Sequence, residues 1–328
     1  MKKTSKKSLI IIINIVAVLG VIAYSLADRY LIRHVEVSDV STVSAATEAA
    51  IVATAEANKD TSFIDSSQNV ETETAVQEVT YDDWNYSDGN LSISITEHSS
   101  GSGKNALTYS VADVVISNAT DLSNAFADNQ FGRNIIATTS TIAEENNAIF
   151  AINGDSYGFR DDGIIIRNGV IYRDVPARTG LAFYLDGTMK VYDETQTSAQ
   201  ELLDAGVWNT LSFGPALIED SVVAIDFDVV KIDNNVGNHP ITGSQPRTGV
   251  GMIDANHFVF IVVDGRSEGY STGVTLDEFA QLFADLGCTQ AYNIDGGGSS
   301  TMYFMGRVVN NPLGRNKERG TSDILMIS

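Results

Sequence analysis

The chain has 328 residues with 21 Lys and Arg against 42 Asp and Glu, a formal net charge of −21. Such an acidic chain would repel a polyanion rather than gain from counterion release, so nucleic-acid binding is excluded as a working function, and any anionic substrate must be gripped by locally concentrated arginine. Cys288 is the one cysteine, so no intramolecular disulfide exists, and its place after an apolar helical pattern predicts a small buried hydrophobe.

Residues 1–7 form a basic tail with Lys2, Lys3, Lys6 and Lys7, followed by an uncharged run from Leu9 to Tyr24 interrupted only by Asn14 and Gly20. This predicts an export signal over 8–27. It is either a signal peptide cut near Ser25-Leu26-Ala27 or, favoured here, a single-pass signal-anchor, because its length falls between an h-region of about 7–15 residues and a span of about 20. The lysines stay cytoplasmic under the positive-inside rule, which places the remainder outside the cell membrane. An exported chain without a disulfide fits a bacterial surface. Residues 28–80 are expected to be an extracytoplasmic spacer, with a helix-capable stretch from Thr47 to Ala57, since their composition lacks a sustained apolar period.

The folded domain is expected over 81–328 as an α+β fold, with mixed or antiparallel sheets, many hairpins and a few short helices. Strands are predicted at Leu91–Ile95 and Ala106–Ile116, and a short helix near Leu122–Ala127. Asn168-Gly169 and Asp186-Gly187, each between apolar runs, predict two-residue hairpins. Ser198-Ala-Gln-Glu201 and Thr275-Leu-Asp-Glu278 are capping boxes heading helices closed by Gly206 and Gly287. Leu276, Phe279, Leu282, Phe283 and Leu286 share one helical face and predict core.

Polar clusters stand where strands end. Apolar runs lead into Asn153-Gly154-Asp155, into Asp264-Gly265-Arg266 and into Asp295-Gly-Gly-Gly298, while Arg247-Thr248 and Arg319-Gly320-Thr321 precede further strands. Arginine suits bidentate recognition of phosphate, and a glycine triplet offers backbone donors to the same group, so Arg247, Arg266 and Gly296, Gly297 and Gly298 are expected to hold a phosphodiester. Asp155, Asp264 and Asp295 supply the carboxylates that glycoside cleavage requires. Oxygen-only clusters of this kind leave Ca²⁺ or Mg²⁺ open as a cofactor. His239, in a loop just before Arg247, is a further acid/base candidate.

Ala151-Ile-Asn-Gly-Asp155, Pro246-Arg-Thr-Gly-Val-Gly251, Val263-Asp-Gly-Arg266, Gly273-Val-Thr-Leu-Asp-Glu-Phe-Ala280, Asn293-Ile-Asp-Gly-Gly-Gly-Ser-Ser300 and Arg319-Gly-Thr321 occur in the order found in the phosphodiester glycosidase family. The chain resembles that family from about 105 to 328, most densely after 145. Its members include the uncovering enzyme, N-acetylglucosamine-1-phosphodiester α-N-acetylglucosaminidase, and bacterial exopolysaccharide-related proteins. The resemblance implies removal of a sugar from a sugar-1-phosphodiester, with Asp295, Asp264 and Asp155 catalytic. It also implies that Asn153, Arg247, Thr248, Arg266, Asn293, Gly296, Gly297, Gly298, Ser299, Ser300 and Arg319 bind substrate. The family's common Asn-Gly-Gly-Phe-Phe is here Asn153-Gly-Asp-Ser-Tyr157, so sugar specificity does not carry over. The alternatives are a non-catalytic surface module that binds anionic glycan, and a phosphodiesterase that cleaves at phosphorus.

Overall fold

The computed structural model describes residues 6–41, 79–227 and 241–328. The Thr47–Ala57 stretch, most of the expected spacer and His239 lie outside the described residues. Every strand pair among the described residues is antiparallel, as the hairpin-rich sequence requires. The nine-stranded sheet runs in the order Val222–Val223, Ala216–Glu219, Gln290–Ile294, Arg247–Asp254, His257–Val263, Leu107–Ile116, Leu91–Ser100, Asn85–Ser87, Thr80–Tyr81. A five-stranded sheet has the order Arg307–Val308, Met302–Phe304, Phe150–Asn153, Asp323–Ile327, Ser123–Phe126.

Alternation along these strands decides the layering, because successive side chains face opposite sides of a sheet. Val250, Phe258, Phe260, Val262 and Ile294 of the large sheet meet Phe150, Ile152, Phe304, Leu325 and Ile327 of the smaller one in the main core. Phe150 and Phe260 touch across it with ring centroids 5.1 Å apart. The alternate residues Val259, Ile261 and Val263 face outward and are covered by the helix Leu276–Asp285 through Leu276, Phe279, Ala280 and Phe283. On the far side, the helix Thr139–Glu145 covers the five-stranded sheet through Ile142 and Ala143. Helices outside and two sheets inside give an α+β fold.

Local sequence signals act as expected at several places. Asn168 and Gly169 take φ of 52° and 73° between Gly163–Arg167 and Val170–Val175, the two left-handed positions that a type I′ hairpin demands. Thr275 accepts from Glu278 N at 3.2 Å while Glu278 Oε2 accepts from Thr275 N at 2.8 Å, closing the capping box reciprocally. Cys288 is buried against Phe283, and burial pushes its thiol up to about 12.

Three expectations are corrected. Leu122–Ala127 is not a helix: a 3₁₀ turn at Ala119–Asp121 gives way to the strand Ser123–Phe126, which pairs with Asp323–Met326. Pairing in a buried sheet overrides the weak helical preference of this short run. Leu286 is 41% exposed because it caps the C-terminus of its helix, beyond the face that the sheet covers. The third concerns residues 28–80. His34–Val37 pairs with Phe131–Arg133, and Val40 is buried with Phe126, Phe131, Tyr157 and Ile165, so the domain begins well before residue 81. His-Val-Glu-Val is a short alternating strand whose Val37 packs inward.

A chain that starts at residue 79 should therefore fold but melt lower than one that starts at Asp28. Loss of the Val40 plug alone removes about 1.5–3 kcal/mol, which at about 2–4 °C per kcal/mol lowers Tm by about 3–12 °C. Equal melting curves for the two chains would show that the N-terminal strand contributes nothing.

Candidate active site

Register brings the polar strand ends together. Arg247, at the start of its strand, lies opposite Val263, the last residue before Asp264, and Thr248 lies opposite Ile294, the last before Asp295. In the other sheet, Asn153 ends its strand opposite Ile324. Asn153 then joins the two sheets. Its Oδ1 accepts from Thr248 Oγ1 at 2.9 Å and from Thr301 N at 3.2 Å, and its Nδ2 donates to the Asp295 carbonyl at 2.7 Å. A buried amide satisfied on both ends specifies one relative position for the sheets.

Asp295 is the centre of the cluster. Its Oδ2 accepts from Ser156 Oγ in a short hydrogen bond and from Arg319 Nη2 at 2.8 Å. Its Oδ1 has no hydrogen bond among the described residues. The Ser156 backbone sits in the left-handed region at φ 63°, and Arg266, at φ 58°, is likewise held there. Non-glycine residues in that region cost energy unless the surroundings enforce them, and such strain gathers at functional sites.

The glycine triplet serves differently from the expected anion nest at one position. Gly297 N–H already donates to the Pro246 carbonyl at 3.0 Å. What the missing side chains provide is room: a Cβ on Gly297 would lie 3.2 Å from the terminal nitrogens of Arg266, and one on Gly298 would lie 3.3 Å from the Arg319 side chain. The two arginines thus lie against the bare backbone of the loop. Arg319 is further held by Ser299 Oγ, which accepts from its Nε at 3.1 Å and its Nη2 at 2.6 Å, and Arg266 Nε donates to Gln245 Oε1 at 2.8 Å. Both side chains are exposed. Burial and then the nearby Arg319 push the Arg266 pKa down, with Asp295 acting in the opposite sense. Arg319 thus pairs with the Asp295 carboxylate, and Arg266 lies against Gly297 of the same loop, in a chain that is acidic elsewhere.

Other expected site residues lie beneath this surface. Arg247 is buried and donates to the carbonyls of Val274 at 3.1 Å, Ile241 at 2.6 Å and Gly243 at 2.9 Å, which makes it an anchor for the loop around residues 241–245 rather than an open phosphate clamp. Burial and Arg266 lower its pKa to about 10. Asp264 is buried too; it accepts from Asn310 Nδ2 at 2.8 Å, Tyr270 OH at 2.8 Å and Asn311 N at 2.9 Å. Burial raises its pKa in spite of those three donors. Asp155 faces inward, accepting from Arg167 Nη2 at 3.0 Å, Tyr157 N at 3.1 Å and Ser212 N at 2.7 Å. Arg167 is fully buried and also pairs with Asp323 at 2.8 Å. Gly154 is required here, since a Cβ would meet Asp323 Oδ1 at 1.9 Å. Asn293 Nδ2 donates to the Gly214 carbonyl at 2.8 Å, and the Ser300 carbonyl accepts from Asn310 Nδ2 at 3.0 Å.

Only Asp295 of the three aspartates meets solvent, with 12% of its side chain exposed. Among the described residues, no three His, Cys, Asp or Glu side chains are grouped as a metal site would need. Ser156, Gln245, Arg167 and Asp323 belong to the site or its support and had no strong sequence signal. Ser156 alone had a hint, standing in the Asn-Gly-Asp-Ser-Tyr segment that departs from the common family form.

A family model described as phosphodiester glycosidase matches residues 146–328, which include every residue of this cluster. The chain belongs to the phosphodiester glycosidase family. Among solved structures, this family member is similar to the catalytic domain of zebrafish N-acetylglucosamine-1-phosphodiester α-N-acetylglucosaminidase, auto-inhibited by its pro-peptide, with a TM-score of 0.55 and 20% identity over 73% of this chain and 83% of that one. At that identity the likeness is one of fold. A hypothetical protein from Synechocystis matches with a TM-score of 0.48 and 13% identity over 72% of this chain and 62% of its own. An uncharacterised SPbeta prophage-derived protein of Bacillus subtilis, YomE, is 34% identical over 207 residues, 60% of this chain and 30% of its own length. The match thus spans less than a third of that curated relative.

Proposed function

We propose that this phosphodiester glycosidase family member is an extracytoplasmic hydrolase, anchored by its N-terminal helix, that releases a sugar from a sugar-1-phosphodiester of a cell-surface glycan or related molecule. The observation that carries the reading is the Asp295 carboxylate paired with exposed Arg319, with exposed Arg266 against Gly297 of the same loop. Arg266 and Arg319 hold the phosphate by charge-assisted hydrogen bonds. Asp295, with Oδ2 fixed by Ser156 and Arg319, presents Oδ1 to the anomeric carbon, directly or through water. A bond forms from the anomeric carbon either to Oδ1, giving a glycosyl ester that water then hydrolyses, or to a water whose proton Oδ1 takes, as the bond from that carbon to the phosphate oxygen breaks and its electron pair leaves with the phosphate.

The leaving group explains why one accessible carboxylate suffices. A phosphate monoester has a second pKa of about 6, so at neutral pH it departs without a proton and needs only cationic stabilisation. Buried Asp264 and Asp155 are then free to act as structural supports. A pure binding module would gain nothing from Asp295 beside its anionic ligand, where the carboxylate repels it.

The test is release of free reducing sugar by the full chain from a sugar-1-phosphodiester, beside an aryl glycoside of the same sugar. Arg266→Ala and Arg319→Ala should each raise KM for the phosphodiester by about 10–100-fold, the loss of a charged hydrogen bond of about 1.5–3 kcal/mol, and change the aryl glycoside KM little. An equal effect on both substrates would remove phosphate binding from these arginines.

A further inference from the structure

The residues after the membrane-length helix do not trail away from the domain. The helix Lys6–Tyr30 contains an apolar stretch, Ile12–Tyr30, long enough to cross a bilayer. Only Leu31, Ile32 and Arg33 separate it from the strand at His34. Asn134 Nδ2 donates to the Asp28 carbonyl at 3.2 Å and to the Ile32 carbonyl at 2.8 Å, and Arg33 pairs with Asp128 at 2.6 Å. The path from helix to domain therefore spans at most about 14 Å, whereas a random-coil spacer of roughly 50 residues would allow about 40 Å.

The same contacts lead to the catalytic rim. Asn134 N donates to the Gly158 carbonyl at 2.9 Å, two residues from Ser156. Ile136 packs on Gly320, the neighbour of Arg319, with only 3.1 Å between its side chain and a Cβ at that glycine. Leu31 at 77% and Ile136 at 39% are exposed apolar side chains, Ile136 two residues after Asn134, and Tyr30 and Arg29 at the helix end are of the kinds that settle at a bilayer interface.

We infer that residues 28–40 clamp the domain to the outer end of the helix, so that the Ser156–Arg319 rim of the active site lies at the bilayer surface and the substrate is a sugar-1-phosphodiester carried by a membrane lipid. The substrate part rests on the hydrolysis proposed above, and the geometry rests only on the anchoring of the helix. A phosphodiester whose second ester is a long-chain lipid alcohol keeps its phosphate at the headgroup level, within reach of Arg266 and Arg319. A polymer distant from the membrane stays beyond a domain held this short.

Two measurements on the full chain in lipid vesicles test this. Cys288 is buried with its thiol pushed up, so an introduced cysteine labels alone. A fluorophore on Ile136→Cys should lose emission to headgroup-quencher lipids, while one on Ala255→Cys should not. Ala255 lies in the turn before the strand His257–Val263, a strand length of about 20 Å from the end that leads into Asp264 and Arg266. No quenching at 136, or equal quenching at both, overturns the clamp. In the second measurement, kcat/KM is compared for one sugar-1-phosphate esterified to a polyprenol in the vesicle and to methanol in solution. Confinement to the surface should favour the lipid ester by on the order of 10²-fold. Equal values overturn the lipid substrate, and release of sugar from neither ester, with quenching intact, sinks the proposed function but leaves the membrane geometry standing.

Discussion

Asp295→Asn is expected to abolish release of sugar from a sugar-1-phosphodiester, lowering kcat by on the order of 10²–10⁴-fold, the usual cost of losing a catalytic carboxylate. The amide keeps the shape of the side chain and can still accept from Ser156 and Arg319 through its oxygen. Substrate affinity should hold or improve, because a negative charge beside the phosphate is gone. Unlike the arginine variants, Asp295→Asn should be equally impaired on an aryl glycoside, since the attack at the anomeric carbon is common to both substrates. Circular dichroism and melting of the variant separate this loss from unfolding, and a fully active Asp295→Asn protein would remove Asp295 from catalysis.

Arg167→Leu should be the most destabilising single change in the region of the site. Arg167 is fully buried between Asp155 and Asp323, which are buried as well. Removing it leaves two carboxylates facing each other without a cation, a loss of about 3–5 kcal/mol. Burial, with Asp155 beside it, already pushes the Asp323 pKa up, opposed by Arg167, so the variant should bind protons there at higher pH still. Adding Asp155→Asn and Asp323→Asn should recover much of the loss in denaturant melts. If Arg167→Leu alone melts like the native chain, the buried triad is not a support of the fold. Because Asp155 precedes Ser156, the single variant should also lower kcat before it unfolds.

The parts of the fold legible in the sequence were those set by local chemistry. Asn168 and Gly169 both take the positive φ of a two-residue turn, and the Thr275 and Ser198 boxes satisfy their own helix starts, so no distant partner was needed; at Asp186-Gly187 the turn was legible but not its length, since only Gly187 has positive φ, at 82°, and the loop is Leu185-Asp186-Gly187, closed by Tyr184 and Thr188. Ser123–Phe126 was misread because its strand character comes from pairing with Asp323–Met326, some 200 residues away in the chain. His34–Val37 escaped for the same reason: four residues alternate too briefly to show a strand without knowledge of Phe131–Arg133. At the site, Asp-Gly and Arg-Thr pairs at strand ends marked where the chemistry gathers. Burial was not legible, so Arg247, Asp264 and Asp155 looked as available as Arg266 and Asp295. The charges that face solvent were decided by three-dimensional partners, the carbonyls around Arg247 and the Arg167 guanidinium under Asp155.

In the proposed reaction the bond broken joins the phosphate oxygen to the anomeric carbon. Hydrolysis of a sugar-1-phosphodiester in ¹⁸O-labelled water, with both products analysed by mass spectrometry at early times, reads it directly. Attack at the anomeric carbon beside Asp295 places the label in the free sugar and none in the phosphate monoester. Label in the phosphate product would mean attack at phosphorus and would contradict the account.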